Sequence, residues 1–302
     1  MSVQTFEVIV IGGGAAGLSA SLILGRSRRK VFIIDANEPR NKVTRESHGF
    51  LSRDGIQPLE FKKICIEQLK KYPNIQYKRD RVEYVEKDGS IFRVHTLEGD
   101  VYISKKIIFA TGMHDALPSI KGLKDVYGKS VYPCPYCDGW ERKDEPLAVF
   151  GNGDWLMDYV KMIYHWSPDL MVFTNGPTKL SNEQKHELLE HDVRLVETPI
   201  EELQSSDGEL EKVVVSTGIE YKRSGGFLMD TGEIQASSIP SRLGIEMNEM
   251  GGYITNNIGE TNIKGVYVIG DAKNAFSGLI KAASEGYELG AKMNAEMIFE
   301  TW

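Results

Sequence analysis

The stretch Val8-Ile9-Val10-Ile11-Gly12-Gly13-Gly14-Ala15-Ala16-Gly17 decides the predicted fold of this 302-residue chain. Its first four residues form an unbroken apolar run, which is typical of a strand buried on both faces of a parallel sheet. Gly12 permits a tight turn, Gly14 lets the backbone approach a pyrophosphate, and Gly17 lets the next helix pack closely on the strand. The sequence therefore predicts a strand, a phosphate-binding turn and a helix.

The residues after the glycine run complete a dinucleotide-binding pattern. A helix is predicted from Ala15 to Leu24, and its N-terminus would face the phosphates. A second strand, from Lys30 to Asp35, ends in a carboxylate 18 residues after Gly17, where a ribose-binding acid belongs. The candidate cofactor-binding residues here are Gly12, Gly14, Ala15, Ala16, Gly17 and Asp35.

The same pattern returns 139 residues later in altered form. Leu147 to Phe150 predicts a strand, Gly151 to Leu156 the turn, a helix runs to about His165, and Leu170 to Thr174 predicts the second strand. Leu156 replaces the third small residue, and neither an acid nor an arginine cluster follows to hold a ribose hydroxyl or a 2′-phosphate. We expect a dinucleotide-like domain that binds a nicotinamide cofactor poorly or not at all.

Two further buried strands end in residues suited to a cofactor. The strand from Lys105 to Ala110 runs into Thr111-Gly112, where the backbone has room to approach a ligand. The strand from Val266 to Ile269 runs into Gly270-Asp271, and a long helix follows from near Gly278. Asp271 suits a hydrogen bond to a ribityl chain, and a helix N-cap is the alternative.

Together these elements predict an α/β protein with two Rossmann-like dinucleotide-binding domains of three ββα layers. The first domain comprises residues 1–117 and 246–302, and the second, residues 118–245, is inserted between its halves. Residues 39–58 form a polar loop in which Arg45 and His48 either line a cofactor or substrate path or belong to a solvated face. A helix from Leu59 to Tyr72 would bury Cys65, and residues 75–103 alternate as an antiparallel β unit does.

The candidate reactive group is the cysteine pair in Cys134-Pro135-Tyr136-Cys137-Asp138-Gly139. Two cysteines at this spacing close a small disulfide. Pro135 suits the first turn of a helix, and a helix start lowers a cysteine pKa towards neutrality. One sulfur then acts as a nucleophile and the other resolves the mixed disulfide. Asp138 is placed to carry the proton of a leaving thiolate.

The cysteine pair has two other interpretations. A zinc site is disfavoured, because Cys65 is the only further cysteine and the six histidines show no zinc-ligand spacing, so no metal site is predicted. Two buried, inert cysteines remain an alternative to redox chemistry.

Composition excludes several classes of function. The net charge of −7 argues against binding to nucleic acid or to an anionic membrane surface. No apolar run approaches the ~20 residues of a membrane span, and the strand at Val8 leaves no place for a signal peptide. Three cysteines without a leader fit a reducing compartment, so we expect the cytoplasm.

Four motifs, in this order and spacing, resemble those of the low-molecular-weight thioredoxin reductase family: Gly12 to Gly17 with Asp35, Thr111-Gly112, Cys134 to Gly139, and Gly270-Asp271-Ala272. The resemblance implies FAD in the split domain, with Ile280 among its contacts, and a homodimer. It also implies that Cys137 lies nearest the flavin, that Cys134 attacks the partner disulfide, and that Asp138 is the acid/base.

Members of that family that use NADPH carry a complete second glycine loop and an arginine-rich run after it, and this chain has neither. The polar loop from Arg40 to Leu51 and the run Cys137 to Glu141 are similar to a side branch that includes dithiol oxidases. The resemblance therefore implies an FAD-dependent thiol–disulfide oxidoreductase whose partner is a thioredoxin-like protein or a small dithiol or disulfide. NADPH remains uncertain as electron donor. The alternatives are a dithiol oxidase that uses oxygen and a non-catalytic flavin redox sensor.

Overall fold

The computed structural model describes residues 4–302. Up to residue 138 the elements are β1 (Gln4–Ile11), α1 (Ala15–Arg26), β2 (Val31–Asp35), a 3₁₀ turn (Arg40–Val43), α2 (Pro58–Leu69), β3 (Ile75–Arg79), β4 (Val82–Asp88), β5 (Ile91–Thr96), β6 (Val101–Phe109), β7 (Met113–His114), α3 (Leu123–Val126), β8 (Val131–Tyr132) and α4 (Pro135–Asp138). The rest are β9 (Leu147–Phe150), α5 (Leu156–Tyr164), β10 (Leu170–Phe173), α6 (Asn182–Glu190), β11 (Arg194–Val196), β12 (Ile200–Ser206), β13 (Glu209–Val215), β14 (Glu220–Lys222), β15 (Gly225–Leu228), β16 (Ile234–Gln235), α7 (Ile239–Arg242), β17 (Val266–Val268), α8 (Asp271–Asn274) and α9 (Leu279–Phe299).

The chain divides into two compact units. Among the described residues, unit 1 comprises residues 4–42, 49–114 and 234–302, and unit 2 comprises residues 43–48 and 115–233. These bounds differ from the sequence-based ones in three places. Residues 115–117 belong to unit 2 rather than to the first domain. Residues 234–245 belong to unit 1, because Ile239 and Ile245 are buried in its core. The short segment 43–48 belongs to unit 2, to which Arg45 is tied by an ion pair with Glu209.

Unit 1 is built on a seven-stranded sheet in which β3, β2, β1 and β6 are neighbours in that order and run parallel. The first part of β6 pairs antiparallel with β5, and its last three residues pair parallel with β17. The strand order reverses beside β1. In open α/β sheets, ligands bind in the crevice at such a reversal, beyond the carboxyl ends of the strands.

Two helices cover one face of this sheet. Helices α1 and α9 pack closely because small residues meet between them: a Cβ at Gly286 would overlap the carbonyl oxygen of Ala16, and one at Gly290 would crowd Ile23. The interface also buries Leu24, Leu289 and Met293. The long C-terminal helix is thereby fixed beside the helix that starts at the glycine run.

Unit 2 repeats this architecture. Its five-stranded parallel sheet has the order β11, β10, β9, β15 and β8, so the first three strands are again arranged third, second, first. A three-stranded antiparallel sheet, β12 to β14, is added to it. The predicted α/β class with two Rossmann-like sheets is confirmed.

One element of the sequence-based prediction is wrong. Residues 75–103 were expected to form an antiparallel unit, but β3 is a parallel strand at the edge of the main sheet and only β4 to β6 are antiparallel. None of the five residues of this edge strand is fully buried, so β3 lacks the continuous apolar run of the central strand β2 that indicates a parallel sheet. Along residues 4–302, none of the helices has the length and apolar character that crossing a membrane requires.

Candidate functional site

The glycine run of unit 1 forms the tight turn between β1 and α1. Gly12 has a φ of +109°, and a side chain there would overlap the carbonyl group of Ala110, so the turn requires glycine. The Gly12 amide donates to the carbonyl of Ile34 over 2.9 Å. Gly14, by contrast, has open space where a Cβ would lie. A phosphate group can therefore approach the backbone at Gly14.

A cavity of about 100 Å³ lies at the carboxyl ends of these strands. Its walls include Gly12, Asp35, Arg81, Val82, Thr111 and His114. The hydroxyl oxygen of Thr111 is buried and has no hydrogen-bond partner among the described residues. A buried polar atom without a partner costs free energy, which a ligand in the cavity would relieve.

Asp35 is buried at the end of β2 and is held by four donors. Its Oδ1 accepts the amides of Gly13 and Asn37, each over 3.1 Å. Its Oδ2 accepts the Tyr77 hydroxyl over 2.6 Å and pairs with the Lys62 ammonium over 2.5 Å. Burial would raise the pKa of the Asp35 carboxyl, but Lys62 and the other donors outweigh it and hold that pKa below its usual range.

The loop before α9 is organised by Asp271 and Arg40. The Asp271 carboxylate accepts the Ser277 amide over 3.1 Å and the Ser277 hydroxyl over 2.7 Å. Arg40 lies 3.6 Å from the carboxylate, donates to the Ala275 carbonyl over 2.9 Å, and stacks on the Phe276 ring. Burial raises the pKa of Asp271, and the contacts with Ser277 and Arg40 oppose that rise.

The structure brings the predicted cofactor residues of unit 1 to one edge of the sheet. Gly12, Asp35, Thr111 and Gly270 all follow parallel strands that are neighbours. Ile280, the second residue of α9, is half exposed. An open glycine turn, a cavity and an unpartnered hydroxyl fit the pyrophosphate and adenosine of a dinucleotide.

The cysteine pair lies in unit 2 as a disulfide. Cys134 is the N-cap residue of α4, Pro135 occupies its first turn as predicted, and the two Cα atoms are 5.3 Å apart. Both cysteines are partly exposed. Because α4 has only four residues, its macrodipole is short, and activation of a thiolate depends on nearby amides and side chains rather than on a long helix.

Asp138, next to Cys137, has the protonation behaviour of an acid/base. Burial raises the pKa of the Asp138 carboxyl to about 7, with a further rise caused by Glu141 and an opposing effect of Arg142. A group with a pKa near the working pH is ionised and protonated in comparable amounts, which suits proton transfer. The structure thus places a buried carboxyl with a raised pKa directly after Cys137 in the chain.

The segment 43–48 supplies two more residues to the surroundings of α4. Arg45 pairs with Glu209 over 2.7 Å, and Arg142 pairs with the same carboxylate over 2.9 Å. His48 Nε2 lies 3.6 Å from Glu141, the carboxylate that acts on Asp138. The sequence left two interpretations of Arg45 and His48, a cofactor or substrate path and a solvated face. The structure favours neither, because Arg45 and His48 both contact charged residues of unit 2.

The second glycine turn is tied to the loop after β10, although Gly153, like Gly14, has open space where a Cβ would lie. The Asn152 amide donates to the Pro177 carbonyl over 2.9 Å, and its oxygen accepts the Lys179 amide over 3.1 Å. Glu197 accepts the Thr178 amide over 2.9 Å and pairs with the Lys185 ammonium over 3.3 Å. Leu156 is fully buried in the core of unit 2. Residues 174–182, which follow β10, contain no arginine for the 2′-phosphate of NADPH.

Comparison with known proteins gives the same assignment across almost the whole chain. Residues 6–288 match the family described as pyridine nucleotide-disulphide oxidoreductase. This chain belongs to that family. A Bacillus anthracis structure assigned as a thioredoxin reductase, TrxB, is 37% identical, has a TM-score of 0.94, and covers 98% of this chain and 100% of its own.

Two other relatives agree with this. An oxidoreductase structure from Agrobacterium tumefaciens is 30% identical, with a TM-score of 0.91 over 98% of this chain and 99% of its own. A protein of Arthroderma benhamiae, also assigned as a thioredoxin reductase, is 31% identical over 89% of this chain and 74% of its own length. This member of the pyridine nucleotide-disulphide oxidoreductase family is thus a thioredoxin reductase-like oxidoreductase that acts on disulfides, and its family implies the use of flavin and pyridine nucleotide.

Sequence reasoning on this oxidoreductase missed the partners of its acidic residues. Lys62 and Tyr77 at Asp35, and Arg40 at Asp271, lie far along the chain from the carboxylates they contact. The sequence does contain a signal for Lys62. Cys65, Ile66 and Leu69 follow Lys62 at helical spacing, so this lysine lies on the inward face of α2. A charge in that position needs a buried partner.

Proposed function

We propose that this chain is an FAD-dependent thiol–disulfide oxidoreductase in which electrons pass between the flavin and the Cys134–Cys137 pair. The observation that carries the proposal is the disulfide beside Asp138, whose pKa is raised by burial to about 7. The lack of an arginine in residues 174–182, after the second strand of the unit 2 repeat, supports a dithiol, rather than NADPH, as the electron donor.

The roles of the three reactive residues follow from thiol chemistry. As a thiolate, Cys134 attacks one sulfur of a partner disulfide, a mixed disulfide forms, and the departing partner sulfur takes a proton. The Cys137 thiolate then attacks the Cys134 sulfur, which re-forms the internal disulfide and releases the reduced partner. Asp138 gives up and takes back the protons that these steps move. Run in reverse, the same steps oxidise a dithiol.

FAD would be held in unit 1, with the pyrophosphate at the glycine turn of Gly12 to Gly17 and the ribose near Asp35. Thr111, Gly112, Gly270, Asp271 and Ile280 would line the rest of its site. When bound, FAD supplies the two-electron oxidation or reduction of the cysteine pair.

A second candidate is a dithiol oxidase that passes electrons to oxygen. The loop after β10 favours it, because residues 174–182 contain no arginine and are poorly suited to a 2′-phosphate. The thioredoxin reductases among the relatives favour a thioredoxin-type protein as partner instead. A homodimer and a cytoplasmic location stay predictions.

An anaerobic titration separates these candidates. The FAD-loaded protein is mixed with NADPH, NADH or a small dithiol, and flavin absorbance is followed at about 450 nm, where oxidised flavins absorb. Bleaching by the dithiol but not by NADPH, followed by oxygen uptake in air, supports the oxidase. Rapid bleaching by micromolar NADPH supports an ordinary reductase. Bleaching by none of them supports a redox sensor and contradicts the proposal.

A further inference from the structure

We propose that Lys62 is a positioning residue of the FAD site, acting through Asp35 on the glycine turn; this inference rests on the proposed function. Lys62 lies on α2 and is absent from the walls of the cavity in unit 1. Its ammonium nevertheless lies 2.5 Å from Asp35 Oδ2, and both side chains are less than one-tenth exposed. The contact links a helix outside the cavity to the residue expected to bind the ribose.

Asp35 links Lys62 to the backbone of the glycine turn, where the pyrophosphate would bind. Its Oδ1 accepts the Gly13 amide, in the middle of the glycine turn, and the Asn37 amide, in the loop after β2. The approach is close: a Cβ at Gly13 would lie 2.6 Å from the Asp35 carboxyl group. A shift of the carboxylate therefore shifts the turn.

Lys62 and Tyr77 fix the other oxygen of the same carboxylate. Two donors on Oδ2 and two on Oδ1 fill the four acceptor sites that a carboxylate offers. A ribose hydroxyl must share or replace one of these donors. The orientation that Lys62 and Tyr77 give to Asp35 thus decides where the ribose oxygens can bind.

The charge of Lys62 is also required. A buried carboxylate without a counter-charge is strongly disfavoured and becomes protonated instead. A protonated Asp35 would lose acceptor capacity towards the Gly13 and Asn37 amides. Lys62 thereby keeps Asp35 in the form that organises the turn.

The test measures FAD affinity in the reconstituted apoprotein by quenching of flavin fluorescence. For Lys62→Met we expect the dissociation constant for FAD to rise about tenfold or more, as for other losses of one partner of a buried pair. Lys62→Arg should restore part of the affinity. Lys63→Met, which changes the exposed neighbour on α2, is the matched control and should leave affinity unchanged.

A double-variant cycle shows whether Lys62 acts through Asp35. In the background of Asp35→Asn, the further change Lys62→Met should have little additional effect on FAD affinity. An undiminished additional loss would overturn the positioning role, because Lys62 would then act on FAD directly. An unchanged affinity of Lys62→Met, with only a lower unfolding temperature of the apoprotein, would overturn it as well.

The Tyr77→Phe variant and FAD binding by the unchanged protein complete the test. If Lys62→Met does not fold, Tyr77→Phe removes one donor from the same oxygen and should weaken FAD binding about threefold, in line with a single hydrogen bond; unchanged affinity there contradicts the inference. Failure of the unchanged protein to bind FAD would overturn the proposed function together with this inference. Normal binding with unaffected variants overturns this inference alone.

Discussion

Glu141 follows Asp138 by three residues, just beyond the end of α4, and the negative charge of Glu141 adds to burial in raising the pKa of Asp138. This carboxyl directly follows Cys137 in the chain. His48 Nε2 lies 3.6 Å from the carboxylate of Glu141, although His48 belongs to a segment about 90 residues earlier in the chain. Residues from two separate parts of the sequence therefore surround the glutamate that raises the pKa of Asp138.

Replacing Glu141 should shift the pH dependence of the dithiol reaction. In Glu141→Gln the pKa of Asp138 falls, because one of the two causes that raise it is removed. We expect the midpoint of flavin reduction by a small dithiol, measured by stopped flow from pH 5 to 9, to move to lower pH. Glu201→Gln, an exposed change elsewhere in unit 2, is the control and should leave the midpoint in place. A shift to higher pH would contradict the assignment.

Asp138→Asn should stabilise the protein at alkaline pH. The pKa of Asp138 is about 7 in the folded protein against 3.8 ordinarily, so the unfolded state ionises first and stability falls as pH rises from about 4 to 7. Asparagine removes that cost, which is up to about 4 kcal/mol at 1.36 kcal/mol per pKa unit. Urea unfolding should show a larger gain at pH 8 than at pH 4. Equal gains at both values would show that Asp138 is not perturbed.

The same variant should be impaired in turnover. A side chain that cannot exchange protons lowers the rate of the thiol steps by roughly 10²–10⁴-fold, the usual contribution of a general acid/base. Steady-state turnover with a dithiol or disulfide substrate measures the loss. Turnover within about threefold of the unchanged enzyme would remove Asp138 from the mechanism, since that is well below the usual contribution.

Each cysteine of the pair should be needed for turnover but not for cofactor binding. Cys137→Ser and Cys134→Ser should bind FAD and lose turnover with thiol partners, because serine neither forms a disulfide nor attacks one. Cys65→Ser is the control, since that thiol is partly buried against the core of unit 1 and burial raises its pKa. Retained turnover in Cys137→Ser would eliminate the internal disulfide as an intermediate.

Arg40→Met should loosen the loop that leads into α9. The change removes the hydrogen bond to Ala275 and the charge opposite Asp271, at a cost of about 1.5–3 kcal/mol, as for hydrogen bonds to charged groups. Without Arg40 the pKa of Asp271 rises further, so the loss of stability should be greatest at neutral pH and shrink as Asp271 becomes protonated at lower pH. Lys42→Met, an exposed change on the same 3₁₀ turn, should cost little. A loss of stability that does not vary with pH would contradict the pairing with Asp271.

Local patterns in the sequence predicted the parts of the fold that depend on local causes. The apolar run of β1, the glycine turn and Asp35 lie within 28 residues, and their spacing reflects backbone geometry. The helix start at Pro135 was predicted for the same reason, because proline suits a first turn. Such features need no knowledge of distant residues.

The features that the sequence did not reveal depend on contacts between distant residues. The residues near Asp35 in the sequence do not indicate Lys62 as its partner, and those near Glu209 do not indicate Arg45. The strands and helices between the two partners determine whether their side chains meet. The edge position of β3 depends likewise on which strand lies beside it. Periodicity reports the burial of a residue but not the identity of its neighbour.

The membership of residues 43–48 in unit 2 determines how an isolated unit can be produced by truncation. The chain passes from one unit to the other at residues 42/43, 48/49, 114/115 and 233/234. A gene fragment that encodes only residues 115–233 would therefore yield unit 2 without the cation that Arg45 contributes to Glu209. Adding the hexapeptide 43–48 in trans, or grafting it by circular permutation, would be the way to restore the missing part.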